Sequence, residues 1–213
     1  MQITVLGSTG PMGKAVLHEA LKLNYQVKVL VRNPDKLGEL KEKLEIVKGN
    51  LLDASSLEKA LEGSNAVINL SGAVKEPDQL DKFQKIGKIL MEKMKQQGIK
   101  RLINISLAVI PLPQEELELK RKLLSVFVNL FYKQKKQIQE IVMGIILNEK
   151  DIIWTLVRPA MVSGKAGTGK VLADEKKMPG TTIMLEDLGM FIVEQITSVE
   201  WIKKAPLVAS NVN

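Results

Sequence analysis

The chain contains no cysteine and a single histidine, His18. Without thiols there is no disulfide framework, no thiolate-held zinc or iron–sulfur centre and no cysteine nucleophile. One imidazole is too few for a histidine-rich metal site. Aromatic residues make up only 4% of the chain, a poor supply of stacking platforms for single-stranded nucleic acid. No apolar run approaches the ~20 residues of a membrane span. The first residues, Met1-Gln2-Ile3-Thr4-Val5-Leu6-Gly7, carry neither the basic start nor the cleavage site of a signal peptide. The expectation is a cytoplasmic protein that engages neither membrane nor nucleic acid. What the chain does have is 213 residues, 45% of them hydrophobic, enough for one well-cored domain over 1–213. Its net charge of +7 suits an anionic ligand.

Short β-branched runs alternate with segments of helical period. Strands are expected at 3–6, 26–31, 45–48, 66–70, 101–106, 152–157 and 206–209. Helices are expected at 14–23, 35–44, 55–61 (with a serine cap), 77–97 and 186–196, with at least one long helix within 115–147. This alternation implies an α/β fold: a Rossmann-type, doubly wound parallel sheet with helices on both faces. Ligands of such sheets bind beyond the carboxyl ends of the strands, so residues just after each strand are the ones to inspect. The glycine- and lysine-rich stretch 164–180 reads as a long mobile loop.

Gly7-Ser8-Thr9-Gly10-Pro11-Met12-Gly13 follows the first strand and opens the first helix. Gly7 permits a tight turn, Gly10 removes a side chain where a diphosphate approaches backbone, and Gly13 lets helix and strand pack closely. Pro11 is suited to the first helical turn. The free N–H groups there, with the hydroxyls of Ser8 and Thr9, can hold an anion. These seven residues are therefore candidate dinucleotide-binding positions.

An NAD site usually ends its second strand in an acid that holds the ribose 2′-hydroxyl. Here the strand runs into Arg32 and Asn33, and a guanidinium suits a 2′-phosphate. NADP(H) is accordingly favoured over NAD(H). After the third strand, Leu52 and Asp53 are further candidates. The Asp53 carboxylate either accepts from the adenine amino group or caps the next helix. Ser71, Gly72 and Ala73, after the fourth strand, are small enough for a cofactor to lie across them.

In this order, Gly7–Gly13, Val31-Arg32-Asn33, Gly49–Asp53, Ser71-Gly72, Ile105-Ser106 and Trp154–Pro159 resemble the atypical short-chain dehydrogenase/reductases. They are most similar to the small branch of biliverdin-IXβ/flavin reductase-like and NmrA-like proteins. The resemblance covers nearly the whole chain. It implies that Pro159, Ala160 and Val162 bring backbone near the nicotinamide carboxamide. It also implies a substrate pocket built from 106–132 and 159–182. Asn50 stands where the family often has Asp.

Short-chain dehydrogenases supply a serine at the end of the fifth strand and a Tyr-x-x-x-Lys pair on the next helix. Ser106, Tyr132 and Lys136 fit that spacing and are the candidate catalytic residues. On one helix, 132 and 136 share a face, and the ammonium would lower the phenol pKa. Tyr132 also closes an apolar run, 123–132, and packing is the alternative role. That run is expected to be largely buried, in core or interface. It could form a substrate lid, a face of a possible homodimer, or a core helix. Two functions are in play. One is NADPH-dependent hydride transfer to a small planar acceptor (flavin, quinone or conjugated carbonyl). The other is a non-catalytic, cofactor-binding redox sensor of NmrA type. His18 should be structural or at the surface.

Overall fold

The computed structural model describes residues 1–72 and 78–211. Eight strands form one sheet in the order β3-β2-β1-β4-β5-β6-β10-β8. They are β1 (Gln2–Leu6), β2 (Gln26–Val31), β3 (Glu45–Lys48), β4 (Ala66–Asn69), β5 (Arg101–Ile105), β6 (Ile153–Pro159), β8 (Val171–Asp174) and β10 (Leu207–Ser210). All neighbours run parallel except β8, which pairs antiparallel with β10. Two short strands, β7 (Met161–Ser163) and β9 (Thr182–Met184), make a separate parallel pair.

The helices are α1 (Pro11–Lys22), α2 (Ala54–Leu61), α3 (Gln79–Gln96), α4 (Leu119–Phe131), α5 (Lys133–Leu147) and α6 (Leu185–Glu194). Apolar side chains of α2, α3 and α5, among them Leu57, Leu61, Phe83, Leu90, Met94, Ile138 and Val142, cover one face of the sheet. Val16 and Leu17 of α1 and Leu188 and Ile192 of α6 cover the other. The inner strands are buried on both faces, which is why they read as nearly unbroken apolar runs.

The structure corrects or sharpens the sequence expectations in five places. The segment 35–44 is not an α-helix but a 3-10 stretch, Pro34–Lys43, interrupted at Gly38, whose φ is 61°. Helix α2 is capped by the Asp53 side chain, which accepts from the Ser55 N–H, and not by Ser55. The region 115–147 holds two helices parted at Tyr132, where φ is −135° and ψ is 27°. The stretch 164–180 is not all loop, because it contains strand β8. Its glycines are also held: buried Asp187 accepts from the N–H groups of Thr168 and Gly169 and from the Ser210 hydroxyl. Finally, the run 123–132 does not enter the core; most of its large apolar side chains are exposed.

Candidate nicotinamide dinucleotide site

The strand order reverses direction between β1 and β4, and the glycine turn sits at that crevice. Gly7 is left-handed, with φ at 81°, and a Cβ there would meet the backbone of Leu70 and Ser71 at 2.7 Å. At Gly13 a Cβ would meet the Gly7 carbonyl oxygen at 2.5 Å. These two glycines weld turn, helix and neighbouring strand together. Gly10 differs: its Cβ position has nothing within 4 Å. It is the N-cap of α1, makes no side-chain cap, and is followed by Pro11 and a first turn free of acids. The first N–H groups of a helix have no intrahelical acceptor, so this end faces open space with its positive dipole unneutralised. Ser8 is buried and its hydroxyl has no hydrogen-bond partner among the described residues. Thr9 is partly exposed, Pro11 is exposed, and Met12 packs into the α1-side core.

Across the crevice, the ends of β4 and β5 are wired together by two asparagines that the sequence reading missed. Asn69 Nδ2 donates to Asn104 Oδ1 at 2.7 Å, and Asn104 Nδ2 donates to the Ile105 carbonyl. Asn69 Oδ1 accepts from the Ser71 N–H and hydroxyl at 3.2 and 2.5 Å, which orients the Ser71-Gly72 turn. The sequence signal was an asparagine near the end of each strand, a residue depleted in strands; the sheet then makes the two direct register partners. Just past β5, Ser106 is 2% exposed; its N–H donates to the Val157 carbonyl, and its hydroxyl has no hydrogen-bond partner among the described residues. Ala73 lies outside the described residues.

At the end of β2, Arg32 and Asn33 line an open pocket of about 680 Å³ together with Pro34, Asp35, Lys41, Ile46 and Lys48. Lys41 ion-pairs with Asp35 at 3.1 Å. The Asn33 side chain is occupied, accepting from the Asp35 N–H to cap the 3-10 segment. Leu52 is partly buried, and its N–H donates to Asn50 Oδ1. Asp53 accepts from Ser56 Oγ and the Ser55 N–H, and these bonds hold its carboxyl below the ordinary range. Of the two roles open to it, the structure displays the cap.

Pro159 ends β6, the Ala160 N–H donates to the Val208 carbonyl, and Val162 turns off into β7. This places the segment at the carboxyl end of β6, on the same edge of the parallel sheet as the glycine turn. Tyr132 and Lys136 are not on one continuous helix. Tyr132 stands at the α4–α5 junction, half exposed, its ring 6.1 Å from that of Phe127. The Lys136 ammonium is held by Asn129 Oδ1 at 3.0 Å and Glu140 at 3.4 Å. His18 lies exposed on α1.

A second missed cluster braces the 106–118 segment. Glu115 accepts from Arg121 at 2.5 Å and from Arg158 at 2.6 Å, and its Oε2 also takes the Leu112 N–H. Both guanidiniums are buried; Arg121 Nε donates to the Ala108 carbonyl and Arg158 Nε to the Ala205 carbonyl. Burial pushes the Glu115 pKa up, but the bonds from Arg121, Leu112 and Arg158 outweigh it, and the net direction is down. Desolvation lowers the pKa of Arg158. The carboxylate thus ties β6 to the segment that follows Ser106.

A family profile described as NAD(P)H-binding matches residues 7–198. The chain belongs to the NAD(P)H-binding family. Solved structures share the fold over nearly the whole chain. ChuY, an anaerobilin reductase from Escherichia coli, superposes with a TM-score of 0.82 at 15% identity, covering 100% of this chain and 98% of that one. The oxidoreductase YlbE of Lactococcus lactis superposes with a TM-score of 0.80 at 19% identity, covering 99% and 91%. Among curated sequences, the photosystem II assembly factor Ycf39 of Guillardia theta is 37% identical over 109 residues, 50% of this chain and 35% of that protein. The matched part is thus about a third of that relative's length. The protein has an NAD(P)H-binding fold, and its cofactor is a nicotinamide dinucleotide. Among the described residues, no helix is long and apolar enough to cross a membrane.

Proposed function

We propose that the protein is an NADPH-dependent reductase that passes hydride to a small planar acceptor: a flavin, a quinone or a conjugated carbonyl. The observation that carries this reading is the open α1 N-terminus at Gly10. It lies in the same crevice as Ser8, whose buried hydroxyl lacks a partner among the described residues. Such a cradle fits a diphosphate. The backbone of Ser8–Gly13 would hold it, Ser71-Gly72 would bound the cofactor's course across the sheet edge, and Ser106 would face the nicotinamide end. The cofactor, when bound, supplies the hydride, so the protein's share is to bind, orient and exclude water. Ser106 can offer its hydroxyl proton to an acceptor oxygen or nitrogen. The preference for NADP(H) is supported by Arg32 with Lys41 and Lys48 around the β2 pocket, and by Asp35 being taken up by Lys41.

A flavin or quinone suits this site better than an unactivated ketone, because its electron-poor ring takes hydride without a strong acid beside it. Ser106 is the buried hydroxyl at hand; Tyr132 is half exposed against Phe127, and Lys136 is paired to Glu140. The same arrangement of Tyr132 and Lys136 favours the second reading, a cofactor-binding redox sensor that performs no turnover. Two measurements decide. Calorimetric titration with NADPH and NADH should give tighter binding of NADPH; equal affinities would defeat the Arg32 argument. NADPH oxidation assayed with FMN, menadione and diacetyl should show turnover with one of the first two. Tight cofactor binding with no turnover on any acceptor would leave the sensor.

A further inference from the structure

Helix α4 stands out from the body on one line of contact. Arg121, buried, and Val128, packed on the core, are seven residues apart and face inward. On the opposite line run Leu119, Leu123, Val126 and Leu130, spaced four, three and four residues apart. With Leu124, Phe127, Phe131 and Tyr132 they are between 45% and 75% exposed. A 4-3-4 apolar line is the seam of two helices packed at a shallow angle. At roughly 100 Å² for each half-exposed side chain, the patch offers about 800 Å². That is the share one partner contributes to a standard interface, and more contiguous apolar surface than monomers usually leave in water.

We propose that this seam binds the α4 of a second copy of the chain, antiparallel, about a two-fold axis near residues 124 and 125. The seam is self-complementary in that direction: Leu119 meets Leu130 of the second copy and Leu123 meets its Val126, as a two-fold interface requires. Charge selects the direction. Lys120 and Lys122 crowd the amino end of α4, and Lys133 and Lys135 follow its carboxyl end. A parallel pair would set each group of lysines against itself and align the helix dipoles. The antiparallel pair sets Lys120 and Lys122 opposite Asn129 and Phe127 of the second copy, and opposes the dipoles. It also brings exposed Glu116, just before α4, to the end where exposed Lys133 of the second copy stands. Because α4 continues the 106–118 segment and is pinned to it by Arg121, pairing would fix the outer wall of the substrate pocket.

Light scattering of the full chain should return twice the 23.6 kDa chain mass. The double variant Leu123→Glu/Leu130→Glu should return the single mass with its far-ultraviolet circular dichroism spectrum unchanged, since both side chains are already in solvent in one protomer. The chain has no cysteine, so direction can be read by cross-linking. Leu119→Cys and Leu130→Cys chains should form a disulfide dimer when mixed and not when either is alone. A single mass at all concentrations, or a dimer that survives the double variant, overturns the proposal. So does self-cross-linking of Leu119→Cys alone, which means a parallel pair. A single mass together with sedimentation on anionic phosphatidylserine vesicles overturns it in favour of a lipid surface, to which the flanking lysines would then be directed.

Discussion

The glycine turn after β1 and the α4 segment after β5 both carry dense sequence signals, and they resolve in opposite ways. At the turn each signal is a local steric demand. Gly7 needs its positive φ, Gly13 its missing Cβ, and both demands are met within the turn and the strand beside it. At α4 the signal is an apolar run, which says that surface must be covered but not by what. The chain itself covers Arg121, Ser125 and Val128, leaving the rest of α4 outward. Local backbone geometry is specified by neighbours in sequence, whereas burial is specified by whatever arrives in space.

The sharpest way to test how α4 is held is to remove the carboxylate beneath it. Glu115→Gln leaves Arg121 and Arg158 buried without their counter-charge. Breaking such a pair costs about 3 kcal/mol or more, measured by urea unfolding. The pH dependence should follow. The Glu115 pKa is held down in the folded chain, so its stabilisation is complete above the unfolded value of about 4.3. It is lost as pH falls through the lower folded value. The variant's stability should therefore fall less steeply toward acid than the parent's. Asp174 and Asp187 share the downward direction, so the acid slope shrinks and does not vanish. An unchanged midpoint at pH 7 would mean that the cluster does not brace the segment.

Next in size is a contrast inside the glycine turn. Gly13→Ala forces a methyl onto the Gly7 carbonyl oxygen and should cost about 2 kcal/mol of stability. Gly10→Ala meets open space, and its cost is that of a poorer N-cap, about 1 kcal/mol or less. NADPH affinity should reverse that order: Gly10→Ala loses at least about tenfold, since the methyl occupies the anion's approach. If Gly10→Ala binds NADPH like the parent, the cradle lies elsewhere.

Much of this contrast was legible in the residues. Strand β2 falls where its β-branched run begins and ends, because a strand buried on both faces has only its turns for punctuation; β3, at the sheet edge, is the Ile46-Val47 pair between charged ends. The break at Tyr132 was not legible. Residues 119–147 have no internal proline or glycine before Gly144, and the helix parts there only in the folded chain. Strand β8 was hidden by its glycine- and lysine-rich flanks, and its order rests on Asp187 and β10, both distant in sequence. In the site, the turn and Arg32 announced themselves by residue type at a strand end. Glu115, Arg121 and Arg158 did not, since three charges scattered over 43 residues look solvated until the sheet brings them together.

Arg32→Ala should lower NADPH affinity about tenfold, near 1.4 kcal/mol, and leave NADH affinity within about twofold. Lys48→Ala should act in the same direction and more weakly, since it would meet the 2′-phosphate as a point charge without a planar fork. Loss of both nucleotides in parallel would move the guanidinium from the phosphate to the adenine face, where it discriminates nothing.

The smallest effect is expected at Tyr132, where the sequence pattern and the structure diverge most. Tyr132→Phe removes a phenol hydroxyl from a half-exposed ring that keeps its neighbour Phe127. Stability should move by less than about 0.5 kcal/mol, as for other surface changes. Turnover with a flavin or quinone should stay within about twofold, because a hydride acceptor of that kind needs no proton from this position. A general acid, by contrast, contributes about 10²–10⁴ in rate. A loss on that scale, with NADPH affinity and melting temperature unchanged, would mean that Tyr132 turns inward during turnover. In that case α4 and α5 must rejoin around Tyr132 and Lys136, and Lys136 must leave Glu140. Glu140→Gln would then raise the activity of the parent enzyme, and in the arrangement seen here it should leave it unchanged.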